Sequence, residues 1–157
     1  MNPNNLSANR EVPFLDQVVQ GDCLTLLAQL PDECIDVCFA DPPFNLDKKY
    51  NSYRDTKQQN DYLIWCRKWL TELVRVTNLT GSIFIHNIPK WLTFYAAVLN
   101  EQAYFRHWIA WDAMSNPLGK TLLPAHYGIL FYTKRSKGFK FNEIRSPHRK
   151  CRKCGNY

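Results

Sequence analysis

The sequence predicts an α/β fold with a mixed sheet, and three observations carry that reading. Short runs of β-branched and aromatic residues alternate with stretches of helical spacing, the pattern of strands joined through helices. One run, Ile35 to Ala40, stops against the paired prolines Pro42 and Pro43, so it reads as a buried strand with an abrupt carboxyl end. The last two runs, Tyr104–Trp111 and His126–Lys134, have no helical pattern between them, so they should pair antiparallel and close the sheet.

At 157 residues, with 45% hydrophobic and 14% aromatic content, the chain is long enough for one packed core. It divides into a polar start (1–13), a domain (14–134) and a basic tail (135–157). No apolar run reaches the length of a membrane span, and Met1 to Asn5 lacks the basic start of a signal peptide. A cytoplasmic protein is therefore expected. The six cysteines, mostly set in apolar patterns, suit reduced thiols better than a disulfide framework. From Lys134 to Tyr157 there are nine Lys or Arg against Glu143 alone, so this segment carries +8 in a chain of net charge +6. Such a segment suits a polyanion such as double-stranded DNA, or is simply a solvated tail.

Taken in order, Phe14–Gln20 holds a short apolar piece in which Val18-Val19 reads as a strand. Asp22 then caps a two-turn helix over Cys23–Leu30, with Leu24, Leu27 and Ala28 on one face and Pro31 beyond its end. The Ile35 strand follows. Asn45 to Gln59 reads as a polar loop containing Lys48, Lys49, Tyr50, Tyr53 and Arg54, either a nucleic-acid contact or a solvated loop. Asn60–Thr77 has the strongest helical period, with Tyr62, Cys66, Trp69, Leu70, Leu73 and Thr77 on one stripe. Trp65 and Trp69 read as core and interface filling. A turn at Thr80-Gly81 leads into a strand over Ser82–His86, and Pro89 opens a helix to about Asn100. His86 stands at a strand end near the prolines and reads as a satisfied strand-end histidine. Between the closing strands, Gly119-Lys120-Thr121 lacks the earlier glycine of a phosphate loop.

The segment with most chemistry is Asp41-Pro42-Pro43-Phe44. Proline after Asp41 favours extended backbone, leaving a rigid lip with one carboxylate, free carbonyls and a ring at a strand's carboxyl end. The tetrapeptide in this place resembles the catalytic motif of DNA amino-methyltransferases. The resemblance implies a partial Rossmann-like, S-adenosylmethionine-dependent methyltransferase fold. It also implies that Asp41 and the Pro42 carbonyl accept hydrogens from an exocyclic amine, and that Pro43 and Phe44 complete the motif. Acceptors there stabilise the positive charge that develops on the amine, and Phe44 would stack on a flipped base. Asp41 in the first position points to adenine over cytosine. The resemblance further places Asp22, Cys23 and Asp41 beside the cofactor, although Asp22 also serves as an N-cap without any ligand. It makes Lys48, Lys49 and Tyr53 part of a loop over the base. Lys120, in a connection that walls the base pocket, becomes a phosphate contact, and the tail extends that basic surface from Lys134 and Arg135.

Members of the family carry a Phe-x-Gly-x-Gly loop flanked by two further strands, and the six glycines here never fall in Gly-x-Gly spacing. The resemblance therefore implies the catalytic-motif half of such an enzyme, completed by a second polypeptide if the chain is split. Two expectations follow: activity is absent from the chain alone, and Phe14–Leu30 is displaced or poorly packed because its sheet neighbours are missing. A different reading is a non-enzymatic nucleic-acid binder using the tail. Cys151 and Cys154 form a Cys-x-x-Cys knuckle there, but with His148 they make only three of the four ligands of a structural zinc.

Overall fold

The computed structural model of the protein describes residues 12–49, 54–112 and 126–144. Three helices, α1 (Cys23–Leu27), α2 (Gln59–Val76) and α3 (Pro89–Asn100), accompany six strands: β1 (Ile35–Ala40), β2 (Lys48–Lys49), β3 (Arg54–Asp55), β4 (Thr77–Asn87), β5 (Tyr104–Asp112) and β6 (His126–Thr133). Four strands make the main sheet in the order β1-β4-β6-β5. β1 and β4 are parallel, and β6 runs antiparallel to both β4 and β5. The closing pair is antiparallel as predicted, with β6 inserted between β4 and the edge strand β5.

All three helices lie on one face of the sheet. α2 buries Tyr62, Cys66, Trp69, Leu70 and Leu73, the stripe read from its period, against Ile83, Ile85, Leu130 and Tyr132. Each fully buried large apolar side chain contributes about 1.5–3 kcal/mol relative to exposure, so this layer dominates the fold. The opposite face has no helix among the described residues. There Val37 and Phe39 are 59% and 62% exposed, while Phe84 and Phe131 stack on each other at 4.6 Å. Among the described residues β1 is also an edge strand, bonded on one side only.

Val18-Val19 is not a strand. Val18 is fully exposed, since no described strand is beside it to supply hydrogen bonds. The following segment is not displaced, however. Cys23, Leu24, Leu27 and Leu30 pack on the core, and Ala28 faces solvent. The α-helix ends at Leu27 and the chain continues in tighter turns, Gln29 bonding Leu26 and Leu30 bonding Leu27. Arg75, near the end of α2, fixes this stretch by donating to the Leu27 carbonyl (2.7 Å) and the Leu30 carbonyl (2.8 Å).

The predicted turn at Thr80-Gly81 survives as a bulge inside β4. Thr77 pairs with Ile35 but Ser82 already pairs with Val37, so residues 78–81 loop out. A side chain at Gly81 would place Cβ 2.8 Å from the Asp36 carbonyl oxygen, and glycine alone permits that approach. The polar stretch after the lip contains the short hairpin β2–β3, where an open loop was predicted. Asn45 pins its base by exchanging hydrogen bonds with the Lys57 carbonyl (2.9 Å) and amide (2.8 Å).

The start of the basic tail is tied to the domain rather than free. Arg106 donates to the carbonyls of Arg135 and Ser136, and the Lys140 amide donates to Thr80. Among the described residues no helix is long and apolar enough to cross a membrane.

Candidate active site

The lip leaves the carboxyl end of β1 and is clamped from beneath through its own carbonyls. Tyr62 Oη donates to the Pro43 carbonyl at 2.5 Å, and Trp91 Nε1 donates to the Phe44 carbonyl at 2.6 Å. Asn87 Nδ2 points at the Pro42 carbonyl from 3.5 Å, a long contact that leaves this oxygen available to another donor. The three donors come from α2, α3 and the end of β4, so two helices and a strand end set the shape of four residues.

These donors belong to a buried network. The hydroxyls of Tyr62 and Tyr95 are 2.7 Å apart, and Asn87 also reaches Tyr95 Oη at 3.3 Å. Burial pushes both tyrosines well above the ordinary phenol range, so they remain neutral. Sequence reading assigned Tyr62 to the core and left Asn87 unremarked. The signal was a hydroxyl on an otherwise apolar stripe, which must find a partner once buried.

Asp41 projects from the lip with its side chain 58% exposed, and one oxygen accepts a 2.8 Å hydrogen bond from His86 Nδ1. Phe44 does not stand free: its ring lies 5.7 Å from His86 and 5.6 Å from Tyr127, centroid to centroid. A cavity of about 270 Å³ adjoins the lip, lined by Cys23, Leu27, Ala40, Asp41, Pro42, Pro43, Trp65, Trp69 and Leu73. The structure thus brings Cys23 and Asp41 to one cavity, with α1 held there by Arg75 and α2. Trp65 and Trp69, read from sequence as filling, are among its walls. A larger groove of about 580 Å³ between α2 and α3 includes no lip residue.

Asp22 stands outside that lining. Its carboxylate accepts from the Thr25 amide (3.0 Å) and hydroxyl (3.1 Å), and the amide bond above all holds its pKa below the usual range. Burial, then the Asp22 charge, pushes the Cys23 thiol up, so it is an apolar wall and not a nucleophile. The lining is mostly apolar, flat-sided and small, which suits a heterocycle such as the adenine of S-adenosylmethionine.

The predicted DNA contacts fare differently. Lys48 and Lys49 form β2, close in sequence to the lip. Tyr53, Lys120, Cys151 and Cys154 lie outside the described residues. Lys134 and Arg135 follow β6 at the amino end of β1 and β4, the end of the sheet away from Asp41. Lys134 is mostly buried and bonds Glu33 (3.1 Å) and the Thr77 carbonyl (3.0 Å). Among the described residues no group of His, Cys, Asp and Glu is placed to hold a metal.

Comparison with known proteins agrees with this geometry. A family described as DNA methylase, covering N6 and N4 enzymes, matches residues 35–157. The type II methyltransferase M.BamHI of Bacillus amyloliquefaciens is 45% identical over 143 residues, which is 90% of this chain and 34% of that protein. The DNA adenine methyltransferase YhdJ of Escherichia coli (strain K12) is 27% identical over 130 residues, 80% of this chain and 43% of the relative. The solved PvuII DNA methyltransferase (cytosine-N4-specific) shares the fold with a TM-score of 0.58 at 17% identity, over 73% of this chain and 48% of that one. The chain spans between a third and a half of the length of these proteins.

Proposed function

Since this chain belongs to the DNA methylase family matched over residues 35–157, we propose that its lip methylates the exocyclic amine of adenine in DNA, using S-adenosylmethionine, when a further segment completes the sheet beyond β1. The observation that carries this reading is the position of Asp41 and Pro42. Both line the apolar cavity, and the Asp41 carboxylate reaches outward from it.

An exocyclic amine is a weak nucleophile because its lone pair is shared with the ring. The Asp41 carboxylate and the Pro42 carbonyl offer two acceptors for its two hydrogens. Holding both draws the nitrogen toward tetrahedral geometry and stabilises the charge that builds on it. Bound S-adenosylmethionine supplies an electrophilic methyl group. Cys23, Leu27, Pro42, Trp65 and Trp69 would hold its adenine, and the apolar walls would keep water from that side of the lip. Phe44, edged by His86 and Tyr127, offers one face to an extruded base. The acceptor pair serves adenine N6 and cytosine N4 alike. Aspartate in the first motif position is the feature that favours adenine.

Completion of the sheet is part of the proposal. The free edge of β1 and the exposed Val37 and Phe39 suit a segment that adds strands and covers the bare face. The test is methylation of DNA by two proteins: the chain alone, and M.BamHI carrying this chain in place of its matching segment. The chimera should transfer methyl groups and the chain alone should not. Product analysis should give N6-methyladenine, and N4-methylcytosine would correct the base. Asp41→Ala should lower turnover about a hundredfold or more with DNA affinity within a few-fold. Near-normal turnover in that variant would remove Asp41 from the chemistry.

A further inference from the structure

We propose that His86 is a positioning residue for methyl transfer, holding one oxygen of Asp41 so that the other is aimed at the target amine. This rests on the methyltransferase reading of the lip. The placement follows from sheet register. Ala40 of β1 pairs with Ile85 of β4, so the residues that follow, Asp41 just past the end of β1 and His86 still within β4, stand side by side at the same level. His86 Nδ1 then meets Asp41 Oδ1 at 2.8 Å.

The two partners differ in freedom. The His86 side chain is 17% exposed and that of Asp41 is 58% exposed. The imidazole is caged by the rings of Tyr127 (5.3 Å), Phe44 (5.7 Å) and Trp111 (6.5 Å). Asp41 has no such cage, and a carboxylate on an exposed lip would otherwise sample several rotamers. A charge-assisted bond to a fixed donor selects one. Among the described residues Asp41 Oδ2 carries no hydrogen bond, so the second oxygen is left to an incoming donor. Among the described residues Asp41 and Tyr127 are the titratable groups in contact with the ring. The bond also sets the neutral ring as the Nδ1–H tautomer.

Two measurements decide the matter. In a long-range proton–nitrogen spectrum of the chain, His86 should carry its proton on Nδ1, and its nitrogen shifts should move in Asp41→Ala. A ring protonated on Nε2, or one indifferent to Asp41→Ala, would overturn the proposal. The second measurement uses the M.BamHI chimera and two opposed variants. His86→Phe keeps a ring in the cage and deletes the donor, so single-turnover methylation should fall about tenfold to a hundredfold with DNA and cofactor affinities within about twofold. His86→Asn keeps a donor where Nδ1 stood and deletes the ring, so its rate should stay within about threefold. A normal rate in His86→Phe, or equal losses in both variants, would show that the ring only packs. A wild-type chimera with no methylation would count against the methyltransferase reading, and the nitrogen spectrum would still decide the His86–Asp41 pair.

Discussion

Replacing Arg75 by methionine should loosen the wall of the cavity beside the lip without loosening the sheet. The aliphatic stem is kept and the fork is lost. Arg75 donates to the Leu27 and Leu30 carbonyls and pairs with Glu72 (2.7 Å) and Asp32 (2.7 Å), whose carboxylates in that order strengthen its hold on its proton. Hydrogen bonds from a charged donor are worth about 1.5–3 kcal/mol each. The freed carbonyls are partly open to water and recover some solvation, so the low end applies and two bonds give about 3 kcal/mol. The exposed Asp32 partner adds about 0–1 kcal/mol at most. A loss near 3 kcal/mol corresponds to local opening roughly a hundredfold more frequent. Hydrogen exchange reads this directly. The Leu26 and Ala28 amides, bonded to Asp22 and Leu24, should exchange about a hundredfold faster, while Ile83 and Leu130 in the sheet keep their protection. Unchanged exchange at Leu26 and Ala28 would mean that apolar contact alone holds α1. Uniform acceleration, sheet included, would mean that Arg75 supports the whole fold and not this wall.

Alkali should unfold the protein through its buried phenols. Burial raises Tyr62 and Tyr95 well above their ordinary value and pushes Tyr132 up to about 12, so the folded state keeps protons that the unfolded chain releases near pH ~10. Their contribution is fully present below that pH and is lost above it, at about 1.4 kcal/mol per pH unit for each group. Tyrosinate absorbance from these residues should appear in step with loss of the circular dichroism signal, and complete titration in a still-folded chain would contradict the burial argument. Gly128→Ala should cost about 1–3 kcal/mol by overpacking. Its Cβ would lie 2.5 Å from Leu92 Cδ1 and 2.8 Å from Trp108 Nε1. An unchanged melting temperature would show that α3 yields easily.

The parts of the fold legible in the sequence are those written in local spacing. The stripe from Tyr62 to Leu73, the proline opening α3 and the strand stopped by Pro42 each depend on neighbours a few residues away. What escaped depends on distant partners. Val18-Val19 has strand-like residues and, among the described residues, no strand to bond. The Arg75 clamp spans 45 and 48 residues to Leu30 and Leu27, and Lys134 spans 101 residues to Glu33, so neither left a periodic trace. For the site, Asp41 to Phe44 could be named from composition and position, because their chemistry is carried by residue type. Tyr62, Asn87 and Trp91 could not, because side chains of ordinary core type become functional only through the carbonyls they face. His86 lay between these cases. Its place at a strand end was visible, and its bond to Asp41 required the register of β1 on β4.

The carbonyl clamp under the lip bears on selectivity. Residues held by three side chains from beneath do not need ordering when a base arrives, so preorganisation spares the entropy that a closing loop would lose. A surface fixed in advance also forgoes induced fit as a means of rejecting wrong bases. On the proposed function it would present the same two acceptors to any amine that reaches it. Discrimination among DNA sequences must then be exercised earlier, in which nucleotide is extruded and how far its amine travels. The lip serves as an anvil, and the choice of what is laid on it falls to the elements that grip the duplex.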